Sequence, residues 1–309
     1  MCYRMRASRL RLTVFAFLVV VVLAVAAGCS SEQTEPAESG NGSSAGPGSG
    51  TGAGERYPEL EGLVFVRQGA IWTVEAGIAR QVIESDAPWS LRDTRSGDAI
   101  TYAALADTGA RIYTAVKGDW RAEPIWETDL GSLLVEVTYD DIADALWFSA
   151  SGEQTTTIGV RDSAGRESTV PLPVEIAPSF SVGYEDGTLY ATGDTQEPAV
   201  LYEVSATARE VFSAATLFYP RLSPDGASVL ATGSERGAVE FHLWMVEIGA
   251  GAVTDLEVGP GVPTDPVWSH DGRRIAFRDT TTGTVWAVPA GDGSATDTGL
   301  EADEGGLAW

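Results

Sequence analysis

A short motif that recurs at regular spacing constrains the fold more than any other feature of the chain. In its clearest copy, at 265–277, the run Trp-Ser-His-Asp-Gly precedes the apolar triplet Ile-Ala-Phe, and a second copy at 219–231 contains Ser-Pro-Asp-Gly. The turn glycines Gly97, Gly187, Gly226 and Gly272 are 90, 39 and 46 residues apart, and Ala143 lies near the midpoint of the longest interval. A period of about 45 residues indicates units that stack on one another in a repeat architecture.

Each unit contains several short runs of β-branched and aromatic residues, and no convincing amphipathic helix interrupts them. Asp-Gly between two apolar runs is typical of a hairpin turn, because glycine accepts a positive φ and the aspartate bonds nearby backbone amides. We therefore assign structural turn roles to three pairs: Asp186 and Gly187, Asp225 and Gly226, and Asp271 and Gly272. Four short strands in a unit of this length predict one blade of a β-propeller.

The predicted fold is all-β, a six-bladed β-propeller of four-stranded antiparallel blades. The blades are expected at 62–83, 88–128, 133–172, 178–213, 217–256 and 265–300. The run Ile-Trp-Thr-Val at 71–74 aligns with Val-Trp-Ala-Val at 285–288, so the first blade begins at its second strand and lacks the innermost one. The last residues are similar to the start of an innermost strand. We therefore expect Leu307 and Trp309 to complete the first blade and close the ring.

These copies resemble the TolB-type, WD40-like propeller repeat, whose pattern is Pro-x-Trp-Ser-Pro-Asp-Gly followed by an Ile-Ala-Phe strand. The match is close at 220–231 and 266–277, fair at 88–102 and 180–191, and weak at 137–148. His270 stands where the pattern has proline, and the third copy lacks the turn glycine, which predicts a longer hairpin there. The resemblance implies a protein-interaction platform in the cell envelope.

The N-terminal residues predict an export signal. Four arginines between positions 4 and 11 precede sixteen residues, 12–27, of which only Thr13 is polar. This run is shorter than the ~20 residues of a transmembrane helix. Ala-Ala-Gly before Cys29 resembles a lipobox, whose cysteine is lipidated and becomes the mature N-terminus. An uncleaved anchor or a secreted form is the alternative, and Met1 or Met5 could be the start.

This interpretation gives three segments: a lipoprotein signal peptide at 1–28, the lipidated Cys29 with a flexible Gly/Ser-rich tether at 29–57, and the propeller at 58–309. The expected location is the cell membrane, with the propeller lipid-anchored and facing outside the cytoplasm. Cys2 and Cys29 are the only cysteines, so processing at Cys29 would leave no intrachain disulfide. We expect a monomer held together by its core.

The chain is strongly acidic, with 44 acidic and 20 basic residues and a net charge of −24. Such a surface repels phosphate backbones, so nucleic acid is not an expected partner. The two histidines, His242 and His270, lie in different repeats and are expected to be structural. Acidic clusters at 140–144 and 301–304 could hold Ca²⁺ through their oxygens, although solvated loop charge is the simpler interpretation.

No catalytic residue, cofactor or metal site is predicted. Six-bladed calcium-dependent lactonases, by resemblance, use asparagine ligands, and the only asparagine is Asn41 in the tether. We therefore favour a non-catalytic binding module for a protein or another cell-envelope component. The alternative is a propeller hydrolase or lyase with carboxylates at the mouth of the central channel.

Two observations would distinguish these functions. An enzyme would bring acids and arginines together on the axis, whereas a binding module would expose an aromatic patch on one face. Trp89, Trp120 and Trp126 lie near predicted blade edges, where each could contribute to such a patch or pack in the core. The sequence does not identify the ligand.

Overall fold

The computed structural model describes residues 55–309 except 86, 131–132, 153–154, 173–178, 184–187, 194–197, 206, 260 and 292. The predicted signal peptide, Cys29 and most of the tether therefore lie outside the described residues, as do Asp186 and Gly187. The helical element among the described residues is a 3₁₀ turn at Pro58–Leu60. No helix in this part of the chain is long and apolar enough to cross a membrane.

The strands form six antiparallel sheets of four, which are the blades of a six-bladed β-propeller, so the predicted fold class is confirmed. Blade 1 comprises β1 (Val64–Arg67), β2 (Ala70–Glu75), β3 (Ile78–Ile83) and β24 (Leu307–Ala308). Blade 2 comprises β4 (Trp89–Asp93), β5 (Ala99–Ala106), β6 (Gly109–Val116) and β7 (Glu123–Thr128). Blade 3 comprises β8 (Leu134–Asp140), β9 (Ala145–Ser151), β10 (Thr156–Asp162) and β11 (Glu167–Thr169).

The second half of the ring repeats the same order. Blade 4 comprises β12 (Ser179–Val182), β13 (Leu189–Gly193), β14 (Ala199–Val204) and β15 (Ala208–Ala214). Blade 5 comprises β16 (Thr216–Leu222), β17 (Ser228–Ser234), β18 (Phe241–Glu247) and β19 (Val253–Leu256). Blade 6 comprises β20 (Pro263–Trp268), β21 (Arg274–Asp279), β22 (Thr284–Pro289) and β23 (Thr296–Glu301). The innermost strands β24, β4, β8, β12, β16 and β20 contact one another in this order around the axis.

The core lies between neighbouring blades, because a single sheet cannot cover its own two faces. Trp268 of blade 6 is buried in a cluster with Leu230 and Leu243 of blade 5, and its indole nitrogen donates to the carbonyl oxygen of Arg221 at 3.1 Å. Leu222 occupies the matching position of blade 5 and packs against Leu201 of blade 4. The residue that precedes each turn motif therefore joins its blade to the one before it.

The Asp-Gly pairs form the turns between the first and second strands of blades 5 and 6. Asp225 Oδ1 accepts hydrogen bonds from the Ser223 hydroxyl at 2.6 Å and the Ala227 amide at 3.0 Å, while Gly226 takes a φ of +70°. Asp271 and Gly272 repeat this arrangement on Ser269, with a φ of +69° at the glycine. We name the end of the ring with the turns at 94–98, 141–144, 224–227 and 270–273 the Asp-Gly end.

The hairpin of blade 3 is not longer, contrary to the expectation from its missing glycine. Asp140 pairs with Ala145 across four residues, and four residues likewise separate Ser223 from its partner Ser228 in blade 5. Asp144 takes the positive φ, at +50°. Asp140 Oδ1 accepts from the Ala143 amide at 2.9 Å, so an aspartate stands where the other turns have serine, and Asp144 takes the positive φ one residue later than their glycine.

The ring closes through the C-terminal strand, as predicted. Leu307 and Ala308 pair with Phe65 and Val64, which supplies the innermost strand that blade 1 lacked. The indole nitrogen of Trp309 donates to the carbonyl oxygen of Glu61 at 2.7 Å, in the loop before β1.

Closure also joins blade 1 to blade 2. The Trp309 amide donates to Asp93 Oδ2 at 2.9 Å, and Asp93 Oδ1 forms an ion pair with Lys117, the only lysine of the chain, at 2.6 Å. A Cβ on Gly306 would overlap the carbonyl oxygen of Leu91, so only glycine lets β24 approach β4 this closely.

Removal of residues 305–309 is expected to lower the melting temperature by many degrees, because it leaves the inner edge of β1 without a partner strand and uncovers blade 1. Trp309→Ala alone should cost about 3–5 kcal/mol, or roughly 10 °C. Trp309→Phe, which retains most of the buried ring, should lose much less. Thermal unfolding followed by circular dichroism measures all three, and an unchanged melt of the truncated chain would contradict closure by this strand.

The pKa of Asp225 is lowered first by the Ser223 hydroxyl and then by the Ala227 amide. Because the pKa of Asp225 is lower in the folded chain than the unfolded value near 3.8, its carboxylate stabilises the fold when the pH is above 3.8. This stabilisation is lost as the pH falls through the folded-state pKa. Asp225→Asn should therefore lower the melting temperature at pH 7 by roughly 2–4 °C, for about 1 kcal/mol. The difference in melting temperature between Asp225→Asn and wild type should be smaller at pH 3 than at pH 7. Asp107→Asn, which removes the same charge from the β5–β6 turn, is the control. Equal losses of melting temperature in both variants at every pH would show that the hydrogen bonds of Asp225 to Ser223 and Ala227 do not stabilise the fold.

Candidate functional site

Charged side chains from different blades meet on the propeller axis. Arg92 of β4, Glu136 of β8, Arg221 of β16 and Asp265 of β20 interact electrostatically with one another, and Tyr219 lies among them. We name these five residues the axial cluster. All five belong to innermost strands, which the ring brings together from distant parts of the chain.

Bulges in the innermost strands direct these side chains inward. The pairing register shifts between Phe218 and Arg221 in blade 5, and between Thr264 and Val267 in blade 6. Tyr219 and Asp265 lie at these bulges with φ values of +52° and +50°. Blade 2 has the same bulge, with Ser90 at a φ of +54°. Non-glycine residues rarely adopt this conformation, so the ring maintains strained backbone where it faces the axis.

Arg92 and Glu136 form a buried ion pair between blades 2 and 3. Arg92 Nη1 also donates to the carbonyl oxygen of Phe180 at 2.8 Å, and its guanidinium lies over the Phe180 ring at 5.6 Å. The Glu136 carboxylate accepts from the Phe180 amide at 3.0 Å and from the Ser179 hydroxyl at 3.3 Å. The pair therefore satisfies its hydrogen bonds by joining three consecutive blades.

Arg221 is bonded differently. It is 9% exposed, and its Nη1 donates to the neutral carbonyl oxygen of Pro220 at 2.8 Å. Within the described part of the chain, no carboxylate lies within 4.0 Å of it. Burial, followed by repulsion from Arg221, lowers the pKa of Arg92 to about 10. Burial raises the pKa of Asp265 and of Tyr219.

A small cavity of about 40 Å³ lies on the axis beside the cluster. Its charged and hydroxyl lining comes from Arg92, Asp93, Thr94, Arg95, Thr138, Ser181 and Arg221. One water occupies at least about 10–15 Å³ by this kind of measure, so the cavity has room for a few waters. Pockets for small-molecule ligands are typically ~300–1,000 Å³.

A larger groove of about 540 Å³ lies at the outer side of blades 4 and 5. Phe212 and Trp244 form its aromatic base, with ring centroids 5.2 Å apart, and Val253 lies at its margin. It is separate from the axial cluster.

Side chains of both acidic clusters found in the sequence bond to other protein groups. Asp140 pairs with Arg95 at 2.9 Å, Asp141 accepts from the Ser96 amide at 2.9 Å, and Asp144 accepts from the Tyr139 hydroxyl at 2.6 Å. In the second cluster, Glu301 pairs with Arg67 at 3.2 Å. No group of three or more metal-ligating side chains occurs among the described residues.

The histidines and tryptophans lie in separate places. His242 bonds Asp255 at 2.8 Å and stacks on Trp244, whereas His270 is exposed in the blade 6 turn. Trp126 is buried between blades 2 and 3, and Trp89 and Trp120 pack partly buried against core clusters. The exposed large apolar side chains among described residues are aliphatic, and they are Leu105, Val116, Leu133, Ile142, Val239 and Val253.

Sequence analysis missed the axial cluster, although a signal for it was available. When the copies are aligned on their turns, Arg92 and Arg221 stand at the variable position of the Pro-x-Trp pattern. Glu136 and Asp265 stand two residues before that position. Charged residues are unusual in the innermost strands of a blade, so their recurrence at these two positions in different copies was the available signal.

Solved propellers have a similar fold. The chain superposes on TolB from Acinetobacter baumannii with a TM-score of 0.60 and 16% identity, over 80% of this chain and 65% of that one. For a TolB from Agrobacterium tumefaciens, the TM-score is 0.58 and the identity is 14%, over 79% of this chain and 89% of that one. For a chain of the nidogen/laminin complex, the TM-score is 0.61 and the identity is 14%, over 80% of this chain and 97% of that one. The chain thus spans just under two thirds of the length of Acinetobacter TolB.

A structure of Kuenenia stuttgartiensis hydrazine synthase is also similar, with a TM-score of 0.52 and 15% identity over 72% of this chain and 70% of that one. No protein-family model matches the sequence, and no curated protein matches it. At these identities the likeness establishes the six-bladed fold alone.

Glu136→Ala should cost about 3–5 kcal/mol, because it leaves Arg92 buried without its partner, and this corresponds to roughly 10 °C in melting temperature. The double variant Arg92→Met with Glu136→Gln should recover most of this loss, because it removes both charges and keeps an oxygen that accepts from the Phe180 amide. Glu127→Ala is the matched control, since it removes the exposed partner of Arg111 and should cost at most about 1 kcal/mol. Equal losses for Glu136→Ala and Glu127→Ala would show that the axial pair is not buried.

Proposed function

We propose that the chain is a lipid-anchored, extracytoplasmic binding module whose propeller recognises a protein partner through the loops at one end of the ring. The observation that supports this most directly is the small size of the axial cavity, about 40 Å³. The cavity beside the axial cluster has room for only a few waters, which favours recognition at the two loop-bearing ends.

The similar solved structures support a binding role. They include TolB propellers and a propeller chain from a complex of nidogen with laminin, which is an assembly of two proteins. The membrane anchor rests on Cys29 and the preceding apolar run alone. A mature chain tethered by Cys29 would hold the propeller close to the membrane surface, where envelope proteins are concentrated.

The alternative, a propeller hydrolase or lyase, has one observation in its favour. Acids and arginines do converge on the axis, as expected for an enzyme, and hydrazine synthase is among the similar structures. However, the Glu136 carboxylate is occupied by Arg92 and the Phe180 amide. A substrate would also need far more than the volume beside the cluster. We therefore favour binding over catalysis.

Exposed aliphatic side chains occur at both ends of the ring and identify two surfaces to test. Val116 and Ile142, 57% and 62% exposed, lie at the Asp-Gly end. Leu105 and Val239, 63% and 93% exposed, lie at the opposite end. Apolar side chains that a monomer leaves in water are the natural anchors of a protein interface.

The test is affinity capture from envelope membranes with the anchored full-length chain, quantified by mass spectrometry. Two variants are compared with wild type: Val116→Glu with Ile142→Glu, and Leu105→Glu with Val239→Glu. We expect one protein to be retained in stoichiometric amount, and one of the two variants to reduce its retention at least tenfold, since a buried unpaired carboxylate is costly. The other variant is the matched control, because its charge change is the same.

Cys29→Ala completes the experiment, because it should release the chain from the membrane fraction while the purified propeller still binds the captured protein. Retention that is equal for wild type and both variants would contradict recognition by the ends. Failure to capture any protein in stoichiometric amount would contradict a protein partner and direct attention to hydrolase assays. A Cys29→Ala chain that remains with the membranes would overturn the lipid anchor.

A further inference from the structure

The axial cavity is positively lined, although the chain as a whole is strongly acidic. Three guanidinium groups border it, from Arg92, Arg95 and Arg221, together with the hydroxyl residues Thr138 and Ser181. These residues come from blades 2, 3, 4 and 5, so the lining exists only once the ring has formed. The net charge of the chain is −24, which makes three arginines at one small cavity unusual.

Two of these arginines face one another across the axis. Arg92 belongs to blade 2 and Arg221 to blade 5, and these blades lie opposite each other in a ring of six. Both side chains are buried, with 6% and 9% exposure. Their mutual repulsion contributes to the lowered pKa of Arg92. Like charges held together away from bulk water destabilise the fold unless a negative charge lies between them.

The described carboxylates near the cavity have other partners. Asp93 also borders it, but it forms an ion pair with Lys117 and accepts from the Trp309 amide. Asp140 is paired with Arg95.

The two carboxylates of the axial cluster do not border the cavity. Glu136 is bonded to Arg92, and Asp265 attracts both arginines only from beyond salt-bridge distance. Among the described residues, the hydrogen-bond partner of the Arg221 side chain at the cavity is therefore the neutral carbonyl oxygen of Pro220.

We propose that this cavity is a binding site for one small inorganic anion, of the size of chloride or bromide, held between Arg221 and Arg92. The volume of about 40 Å³ suits a monatomic anion with a water or two. The hydroxyl groups of Thr138 and Ser181 can donate hydrogen bonds to it. Ser181 Oγ already accepts from the Leu222 amide at 3.1 Å, which leaves its proton free to point into the cavity.

Such an anion would join opposite blades of the ring. Arg92 and Arg221 would each donate to it, which would replace a repulsion across the axis with two attractions. The anion would then stabilise the closed propeller by mass action, since the unfolded chain has no such site.

The test measures the melting temperature of the full chain as chloride replaces gluconate at constant ionic strength and pH 7. Gluconate is too large for the cavity, so screening stays the same while the small anion is varied. Chloride and bromide should each raise the melting temperature along a saturating curve, by roughly 5–10 °C at about 100 times the dissociation constant. Arg221→Gln should abolish this rise. Arg121→Gln is the matched control, because Arg121 is exposed and its loss changes the net charge equally.

A crystal of the wild-type chain soaked in bromide gives a second, independent readout. Anomalous diffraction should locate one bromide between Arg92 and Arg221. A cavity that contains water only, or a melting curve that does not respond to chloride or bromide, would overturn the proposal. An equal response in the Arg221→Gln chain would place the anion elsewhere and would likewise exclude this site.

Discussion

Neighbouring innermost strands in this propeller meet at one matching backbone position in each blade, and an amide at this position must find an acceptor. At the first three junctions this amide finds an acceptor in the preceding blade. Leu91 donates to the carbonyl oxygen of Gly305 at 2.7 Å, Val137 to Ser90 Oγ at 2.7 Å, and Phe180 to the Glu136 carboxylate. At the next two junctions the matching residues are Pro220 and Pro266, which have no amide proton to satisfy. The proline of the repeat pattern thus removes a buried donor at these two junctions.

The need for an acceptor at each junction also explains why a charged side chain, that of Glu136, lies near the axis. Glu136 occupies the position of Ser90, and either side chain supplies the oxygen that the next amide needs. A carboxylate fulfils this role only if its charge is compensated, and Arg92 compensates it from the adjacent blade. The axial cluster is therefore an extension of the strand junctions, and its charges follow from a backbone requirement. The backbone requirement does not explain the burial of Arg221, because Pro220 beside it has no amide proton that needs an acceptor. The burial of Arg221 therefore needs a separate explanation.

The blades were predictable because their signal is local. A turn such as Ser269–Gly272 and the apolar strands beside it are adjacent in sequence, so spacing and residue type were sufficient to place the hairpins and the closing strand. The axial cluster was not predictable in the same way, because it joins residues up to 173 positions apart, from Arg92 to Asp265. The bulges at Tyr219 and Asp265 also break the two-residue alternation that indicates which side chains share a face. The prediction of a longer hairpin in blade 3 was wrong because residue type alone did not show that Asp144 adopts the positive φ that glycine usually supplies.

The separation of charge in this molecule bears on both kinds of recognition. Acidic side chains predominate in the chain as a whole, whereas the axial cavity is bordered by arginines. If the ends of the ring bind a protein as proposed, the surrounding negative field favours a basic partner and raises the rate of its association. The same field opposes the entry of large anions into the axis, and the cavity volume excludes them on steric grounds. A small anion that does enter loses little to this field, because two buried guanidinium groups act on it at short range, where screening by solvent is weak. The axis and the ends of the propeller are thus suited to ligands of opposite charge, and a ligand for one does not compete with a ligand for the other.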